Sequence, residues 1–457
     1  MSVLEELACA DPALPLWYVA GRWLTAGEVV AAAGAHAEAL ADFAGKSVAV
    51  AAGTNAELAW ILTLMDGLAA TVVLLPPEQD AETLAGFCSR AGCERITGLL
   101  GREVPALPFA DCPDFPEAGS HGGTASGGQA TVRNTKTRWI IPTSGTTAEP
   151  KLVAHDFESL SRTALRDREK GAEIRWGLLY QIHRFAGLQV FLQSVCGGSG
   201  MIVTEPDESV VDRLKTLAAG GCNALSATPS MWRKLLMLPE VDGLDLRWVT
   251  LGGEIADQPV LNALKARFPE ARITHVYAST EAGVGFSVRD GLEGFPVSYL
   301  RTPPSGVEIR VDEERLFLRS AKTSQTYVGR EDALTDADNW IDTGDQVRLR
   351  DDGRYIFIGR ASGAINVGGS KVQPAEVERV ILDVEGVRMV SVYGRRNSMM
   401  GNLVEAVVVA DPAIDQKVIM GKIRERCAEA LQAFQRPAVI KFADSLDLNV
   451  SGKIERS

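Results

Sequence analysis

Histidine is scarce in this chain, with only 5 among 457 residues, and its 7 cysteines are scattered from Cys9 to Cys427. The two cysteines nearest each other are Cys88 and Cys93. Their spacing does not suit a zinc knuckle, and no second pair complements them. This composition argues against a structural metal site and is typical of a cytoplasmic protein with reduced, buried thiols.

The chain also lacks an excess of basic residues and a long apolar segment. Its 47 lysines and arginines are outnumbered by 59 aspartates and glutamates, so the formal net charge is −12. Proteins that bind the nucleic-acid backbone usually carry a basic surface, so we expect no nucleic-acid partner. The most apolar stretch, residues 58–75, is interrupted by Asp66 and Gly67, and the N-terminus has no signal-peptide pattern. We therefore expect no membrane association.

What the chain does contain is a regular alternation of helix-like and strand-like segments. Residues 24–44 and 55–70 have helical periodicity, whereas residues 46–53 and 71–77 are short runs rich in β-branched residues. This alternation predicts an α/β fold, with layered sheets of largely parallel strands and helices in a large N-terminal part.

From about Glu308 the pattern changes. Alternating segments, one pair of them joined by an Asp-Asp-Gly turn, predict an antiparallel, β-rich subdomain. After Arg360, a new succession of strand and helix patterns predicts a small α+β domain. A length of 457 residues also favours more than one structural unit.

The stretch PTSGTTAEPK, residues 142–151, has the composition of a phosphate-binding loop that follows a strand. A Walker loop requires glycine immediately before its lysine, and Pro150 stands there, so that pattern is excluded. The alternative is a hydroxyl-rich loop, in which side-chain hydroxyls and a glycine backbone approach the phosphate oxygens beside a lysine. The candidate ligands are Thr143, Ser144, Gly145, Thr146, Thr147 and Lys151.

Polar loops follow three later apolar strands as well. These loops end the stretches ALSATPS, WVTLGGE and THVYASTEAG, residues 224–230, 248–254 and 274–283. Ligands of parallel α/β sheets gather at the carboxyl ends of the strands. The four loops are therefore expected to form one site.

Five motifs occur in the order found in the acyl-adenylate-forming enzymes, which include acyl- and aryl-CoA synthetases, the adenylation domains of nonribosomal peptide synthetases, and firefly luciferase. TSGTTAEPK resembles the family's phosphate loop, and VYASTEAG resembles its Y-G-x-T-E motif. WIDTGDQV is similar to its aromatic-x-T-G-D motif, GRASGAINVGGSKVQPAEVE to its hinge and crossover segment, and LNVSGKIERS to its terminal N-x-x-G-K-x-x-R motif. The resemblance implies an N-terminal ATP- and acyl-binding domain, residues 1–360, and a mobile C-terminal domain, residues 361–457, that carries a catalytic lysine.

The resemblance also implies roles for single residues. The phosphate loop would bind the β- and γ-phosphates of ATP. The rest of the nucleotide would contact the backbone of Gly252, Gly253 and Glu254, the ring of Tyr277, the neighbouring Ala278 and Ser279, the carboxylate of Asp345 at the ribose, and Arg360. The catalytic residues would be Thr280 at the α-phosphate, Glu281 as the Mg²⁺ ligand, and Lys453 between the acyl carboxylate and the α-phosphate.

The stretch YQIHRFAGLQV is implied to border the acyl pocket, with His183, Phe185, Gly187 and Ser279 at its wall. His183 is equally compatible with a structural histidine, and the neighbouring arginine at 184 is interpreted as exposed. Two further functions follow from the crossover segment. Ser362 would act as the hinge, and Gly368 and Gly369 would line the tunnel for the thiol, unless they form an ordinary glycine turn.

The implied reaction activates a carboxylic acid with ATP, releases pyrophosphate and transfers the acyl group to a thiol. Coenzyme A is the default acceptor, and an aryl or small acid is the expected substrate. One alternative is an acyl-AMP ligase that loads the phosphopantetheine arm of a separate carrier protein. The other is an inactive nucleotide-binding homologue, since Ala148 replaces a glycine of the phosphate loop and Ser362 replaces the usual Asp or Lys of the hinge.

Overall fold

The computed structural model of the protein describes residues 1–98, 135–143, 150–320, 327–329, 333–397, 400–449 and 452–454. Within these ranges the helices are α1 Val3–Ala8, α2 Ala26–Ala35, α3 Asn55–Met65, α4 Ala81–Ala91, α5 Phe157–Leu160, α6 Arg168–Ala172, α7 Phe185–Gly197, α8 Val210–Ala219, α9 Pro229–Leu236, α10 Gln258–Arg267, α11 Pro374–Leu382 and α12 Gln416–Ala430. The strands are β1 Pro15–Val19, β2 Arg22–Thr25, β3 Ser47–Val50, β4 Thr71–Leu74, β5 Arg95–Thr97, β6 Arg138–Pro142, β7 Leu152–Asp156, β8 Arg175–Leu178, β9 Gly200–Val203, β10 Ala224–Ala227, β11 Trp248–Gly252, β12 Arg272–Ser279, β13 Gly283–Val288, β14 Phe295–Pro296, β15 Glu308–Asp312, β16 Arg315–Arg319, β17 Ile341–Leu349, β18 Arg354–Arg360, β19 Ile365–Val367, β20 Ser370–Val372, β21 Val387–Asn397, β22 Gly401–Ala410 and β23 Val439–Phe442.

Strands β1 to β13 form two sheets of mainly parallel strands. The larger has the strand order β13-β12-β11-β10-β8-β9-β1-β2, and its outer pairs β12–β13 and β1–β2 are antiparallel while the inner pairs are parallel. The smaller has the order β5-β3-β4-β6-β7, in which β6–β7 is the antiparallel pair. The predicted α/β class with parallel-type sheets is confirmed.

Helix α3 shows how local sequence signals lead to packing. The Thr54 hydroxyl caps its first turn by accepting from the backbone N–H of Glu57 at 3.1 Å. The helix ends before Asp66, whose carboxylate accepts hydrogen bonds from the backbone N–H of Val3 at 2.8 Å and from Trp139 Nε1 at 2.9 Å. Asp66, which interrupts the apolar stretch 58–75, thus connects the end of α3 to the N-terminus and to β6 through buried hydrogen bonds.

The main hydrophobic core lies between the two sheets. Side chains from the smaller sheet, such as Val50 and Trp139, belong to the same buried cluster as Leu178 and Met201 from the larger one. Central parallel strands are covered on both faces, which explains why β4 and β9 are buried along their whole length.

The remaining strands form two smaller sheets. The antiparallel order β14-β18-β17-β16-β15 confirms the predicted β-rich subdomain. The last sheet has the order β20-β19-β22-β21, with β23 beside β22, and together with α11 and α12 it encloses a core of its own, from Ile365 to Leu431. The division of the chain at residue 360 stays a prediction.

The loops of the expected site follow strands of both sheets. The strands β10, β11 and β12 are neighbours in the larger sheet, but β6, which leads into the phosphate loop, belongs to the smaller sheet. Hydrophobic periodicity identifies a strand without showing which sheet it joins. The two sheets meet beside the loop after β12, where His155 Nε2 of β7 is 2.7 Å from the carbonyl oxygen of Thr280.

Candidate active site

The C-terminal hairpin brings Lys453 to the carboxyl end of β11. Leu448 and Ile454 form an isolated β-bridge, and the backbone N–H of Lys453 donates to Oδ1 of Asn449 at 3.2 Å. Cε of Lys453 lies 3.5 Å from the point that a Cβ would occupy at Gly253. A Cβ at position 253 would therefore be in ordinary van der Waals contact with the lysine side chain. The structure places the predicted catalytic lysine against the predicted adenine-binding segment.

A threonine that the sequence analysis did not single out holds this hairpin. Thr228 follows β10, and its hydroxyl accepts from the backbone N–H of Met231 at 3.1 Å, capping α9. The same hydroxyl donates to the carbonyl oxygen of Gly452, the residue before the lysine. One buried hydroxyl thus links the large sheet to the segment that carries Lys453.

The surroundings of Lys453 change its titration. Burial lowers the pKa of Lys453, the carboxylates of Glu254 and Asp345 act in the opposite direction, and the charges of Arg360 and Arg184 lower it further. The charges of four side chains therefore influence the pKa of the Lys453 ammonium group. The carboxylate of Glu254 is itself fixed, since Oε2 accepts from the backbone N–H of Ser230 at 3.0 Å.

Asp345 and Arg360 are paired directly across β17 and β18. Arg360 Nε donates to Oδ1 of Asp345 at 3.0 Å, and the hydroxyl of Tyr277 donates to Oδ2 at 2.5 Å. The Tyr277 ring lies 5.1 Å from the ring centroids of both Phe286 and Phe357, nearly parallel to each. Three predicted nucleotide-binding residues are thus in contact, while stacking of Tyr277 near the adenine stays a prediction.

The turn after β12 holds the other predicted catalytic residues. The Ser279 hydroxyl accepts from the backbone N–H of Ala282 at 3.0 Å, and the carbonyl of Thr280 meets His155 as described above. Ala278 lies at an irregularity in the β12–β13 register, but its φ is not positive. Alanine in place of the family's glycine therefore carries no left-handed backbone strain there.

The carboxylate of Glu281 has no hydrogen bond or ion pair within the described ranges, and it is half-buried. Mg²⁺ prefers oxygen ligands and is commonly bound by one or two carboxylates together with substrate phosphates. An unpaired carboxylate one residue after Thr280 fits that requirement.

The base of the phosphate loop is closed by two hydrogen bonds. The backbone N–H of Thr143 donates to the carbonyl oxygen of Lys151 at 2.8 Å, and the backbone N–H of Lys151 donates to the Thr143 hydroxyl at 3.1 Å. The Lys151 ammonium donates to the Tyr327 hydroxyl at 3.2 Å. The other predicted loop ligands, Ser144, Gly145, Thr146 and Thr147, lie outside the described residues, as does Ala148.

The predicted acyl-pocket segment contains a buried charged group. Arg184 forms an ion pair with Glu78 and donates from Nε to Oε1 of Gln181 at 3.0 Å. Its side chain is only 21% exposed, so the interpretation of Arg184 as an exposed arginine is wrong. The local sequence gives no sign of this pairing, because Glu78 lies 106 residues away along the chain.

His183 is buried beside the same carboxylate. Its Nε2 is 3.7 Å from Oε2 of Glu78, too far for a hydrogen bond, and has no other partner in the described part of the chain. Burial lowers the pKa of His183 and the Glu78 carboxylate opposes this shift. The ring centroids of Phe185 and His155 are 6.1 Å apart. Because His155 contacts the carbonyl of Thr280, Phe185 lies near the turn after β12.

Gly187 has a packing role that the sequence analysis did not predict. A Cβ at this position would stand 2.2 Å from the carbonyl oxygen of Gln181. Helix α7 can therefore approach the segment before it only if residue 187 has no side chain. Its place at the wall of the acyl pocket stays a prediction.

The model of the protein family described as "AMP-binding enzyme" matches residues 6–319 of the chain. A second family model, described as "AMP-binding enzyme C-terminal domain", matches residues 376–453. The first match alone covers more than half of the chain. The chain belongs to the AMP-binding enzyme family. The predicted adenylate-forming superfamily is thereby confirmed, and with it the expected combination of a large N-terminal and a smaller C-terminal part.

Individual relatives of this AMP-binding enzyme agree with the family match. The chain is 28% identical over 340 residues to a 2-succinylbenzoate–CoA ligase of Listeria innocua, covering 70% of this chain and 69% of the relative. It is 26% identical over 354 residues to a D-alanine–D-alanyl carrier protein ligase of Staphylococcus aureus, covering 71% of each. The o-succinylbenzoate coenzyme A synthetase of Bacillus subtilis, in complex with ATP and magnesium ion, has the same fold, with a TM-score of 0.72, 21% identity, and coverage of 99% of this chain and 98% of that one. The predicted reaction class is confirmed: an AMP-forming acid–thiol ligase.

The remaining predicted positions lie in the C-terminal part of the AMP-binding enzyme. Ser362 is exposed in the short 3-10 turn Ala361–Gly363, as a hinge would be. Gly368 and Gly369, with φ of 56° and 88°, form the two-residue turn between β19 and β20. Positive φ at both central residues is the type I′ pattern, so the glycine-turn interpretation is confirmed, while the thiol tunnel stays a prediction.

None of the described helices is both long enough and apolar enough to span a bilayer.

Proposed function

We propose that this AMP-binding enzyme activates an aryl or small carboxylic acid as its acyl-AMP and transfers the acyl group to coenzyme A. The observation that carries the proposal is the position of Lys453 beside Gly253, within the electrostatic reach of Glu254, Asp345 and Arg360. An ammonium beside Gly253, close to the charges of Glu254, Asp345 and Arg360, is placed as a cation that acts on a bound nucleotide would be.

In the first half-reaction, a carboxylate oxygen of the acid attacks the α-phosphorus of ATP, and the bond to the β-phosphate oxygen breaks. Negative charge is concentrated around the α-phosphate in the transition state, so a fixed cation stabilises it. Lys453 supplies that cation and contacts both the acyl carboxylate and the α-phosphate. Lys151 and the hydroxyl-rich loop hold the β- and γ-phosphates, and Asp345 accepts hydrogen bonds from the ribose.

Bound Mg²⁺, held by Glu281 and the phosphates, would neutralise the charge that develops on pyrophosphate. The magnesium and ATP in the Bacillus subtilis complex of the same fold support this assignment. In the second half-reaction, a thiol sulfur attacks the acyl carbon, AMP leaves, and a thioester forms. The crossover segment and Ser362 would allow the C-terminal part to rotate between the two half-reactions.

The test is exchange of labelled pyrophosphate into ATP, screened over aryl, short-chain and amino acids. Exchange should appear with a subset of these acids. Lys453→Ala should reduce exchange by about 10²-fold or more, the usual loss when a charge-stabilising group is removed. Lys422→Ala removes another C-terminal lysine, on α12 and paired with Glu385, and should leave exchange unchanged. Undiminished exchange in Lys453→Ala would show that the lysine is wrongly assigned.

A carrier-protein acceptor is the second candidate, because the Staphylococcus aureus relative is a carrier-protein ligase. Coenzyme A and phosphopantetheinylated carrier proteins should each be added to the preformed adenylate on the enzyme. The thiol that releases AMP at the higher rate identifies the acceptor. An inactive nucleotide-binding protein would show ATP binding but no exchange with any acid.

A further inference from the structure

The ammonium group of Lys151 is held by an aromatic side chain from a distant part of the chain. Its Nζ donates to the hydroxyl of Tyr327 at 3.2 Å and lies 4.5 Å from the centroid of the same ring. The two residues are 176 positions apart in the sequence. Both a hydrogen bond and a cation–π contact therefore connect Lys151 to one residue.

The backbone fixes the position of Tyr327. It forms a β-bridge with Val153, and the N–H of Val328 donates to the carbonyl oxygen of Leu152 at 2.9 Å. Lys151 immediately precedes the same strand, β7, and its backbone is tied to the backbone and to the hydroxyl of Thr143 by the two hydrogen bonds at the base of the loop. Both the lysine backbone and its aromatic partner are thus anchored to one strand.

The chemistry of this partner differs from that of other lysines in the protein. Lys46 pairs with the carboxylate of Asp42, and Lys422 pairs with Glu385. In the described part of the chain Lys151 has no carboxylate within 4 Å. A phenol orients the ammonium without neutralising its charge, whereas a carboxylate would cancel much of the attraction for phosphate. A free lysine also loses rotamer entropy when it is ordered, and this partner removes part of that loss before a ligand binds.

We infer that Tyr327 is a positioning residue, which orients Lys151 towards the β- and γ-phosphates of ATP. The inference rests on the proposed function, in which Lys151 contacts those phosphates. AMP lacks both phosphates. Tyr327 should therefore contribute to the binding of ATP and not to the binding of AMP, a distinction that a merely structural tyrosine would not produce.

The experiment measures dissociation constants of the full-length protein for ATP and for AMP by calorimetry, with magnesium and without any acid. No acid means no turnover, so the natural substrate need not be known. Tyr327→Phe keeps the ring and loses the hydroxyl, and should weaken ATP binding about tenfold, the lower end of the range for one hydrogen bond to a charged group. Tyr327→Leu removes the cation–π contact as well and should weaken ATP binding about thirtyfold or more. AMP binding should change by less than twofold in both variants.

Two controls sharpen the measurement. Tyr299→Phe removes another tyrosine hydroxyl, which donates to the carbonyl oxygen of Ser287 at 3.1 Å, and should leave both dissociation constants unchanged. Lys151→Met should weaken ATP binding, and adding Tyr327→Phe to Lys151→Met should have no further effect, because the tyrosine acts only through the lysine.

Equal losses of ATP and AMP affinity in Tyr327→Phe, or additive losses in the double variant, would overturn the inference. The inference would also be overturned if the wild-type protein binds ATP more tightly than AMP and Tyr327→Phe binds ATP as tightly as the wild type. The proposed function would survive that result. A wild-type protein that binds ATP no more tightly than AMP would overturn the role assigned to Lys151 and, with it, this inference; the proposed function is tested separately by pyrophosphate exchange.

Discussion

The hydroxyl of Tyr277 and the carboxylate of Asp345 are joined by a 2.5 Å hydrogen bond. Because Arg360 occupies the other carboxylate oxygen, both oxygens of Asp345 are oriented without a nucleotide. Burial, together with the charge of Asp345, raises the pKa of Tyr277 well above its ordinary value, so the phenol remains a donor throughout the neutral range. The group expected to bind the ribose is therefore pre-organised by its neighbours.

Tyr277→Phe should weaken nucleotide binding by about tenfold, the lower end of the range for a hydrogen bond to a charged group. Since ATP and AMP share the ribose, both should lose affinity equally, in contrast to the variants of Tyr327. Calorimetric titration with each nucleotide checks this. A loss confined to ATP would place the role of Tyr277 at the phosphates instead of the ribose.

Thr228→Val should lower the adenylation rate about tenfold, because the variant keeps the shape of the side chain and loses the hydroxyl that donates to Gly452 beside Lys453. The rate of thioester formation from preformed adenylate should change much less, since that step does not need this lysine. Thr25→Val is the matched control, as it removes the N-cap of α2 by the same substitution. If both variants slowed adenylation equally, the effect would come from helix capping alone.

The adenylation rate should decline on the alkaline side at a pH below 10.5, the ordinary pKa of a lysine, because burial lowers the pKa of Lys453. The protonated form is the one that stabilises negative charge, so activity is lost as the pH rises through the lowered pKa. In Lys453→Arg the side chain stays charged, and the alkaline decline should move to higher pH. Pyrophosphate exchange measured from pH 6 to about 10 for both proteins tests this. Superimposable profiles would assign the decline to another group.

Glu78→Gln should destabilise the protein at neutral pH. Burial raises the pKa of Glu78, but His183 and the charge of Arg184 outweigh this effect and bring it to about 2, compared with an ordinary value of 4.5. A lowered carboxyl pKa contributes stability that is fully present above pH 4.5 and is lost as the pH falls towards 2. The direction of the shift predicts that Glu78→Gln is less stable than wild type at pH 7 and that this difference in free energy of unfolding shrinks as the pH falls.

Urea unfolding of wild type and Glu78→Gln, followed by tryptophan fluorescence at pH 7 and at pH 3.5, measures this difference. The difference in free energy of unfolding between the two proteins should decrease by about 1.4 kcal/mol for each pH unit below 4.5. Glu385→Gln, which removes the exposed partner of Lys422, should leave the midpoint unchanged at both values of pH. A gap that is independent of pH would mean that Glu78 stabilises by packing and not by charge.

The sequence could predict that several site loops lie close together, because the carboxyl ends of parallel strands lie at the same edge of a sheet. Gly252 and Tyr277 lie on the adjacent parallel strands β11 and β12, whose carboxyl ends lie at the same edge of the sheet. The contacts that orient these residues could not be predicted. Glu78, Thr228 and Tyr327 act on groups more than 100 positions away, and such pairs depend on how the layers pack. Likewise, the pattern that identified β6 as a strand could not show that it joins the smaller sheet.

The direct pairing of Asp345 with Arg360 also bears on protein engineering. Both residues belong to the sheet that ends at Arg360, and the turn Ala361–Gly363 follows at once. A recombinant junction placed after residue 363 would keep Asp345 and Arg360, the predicted ribose contact, on the recipient side and import Lys453 from the donor. Segments exchanged at this point should therefore combine a new lysine hairpin with an unchanged predicted nucleotide site, so we expect the end of β18 to be a suitable junction between two family members.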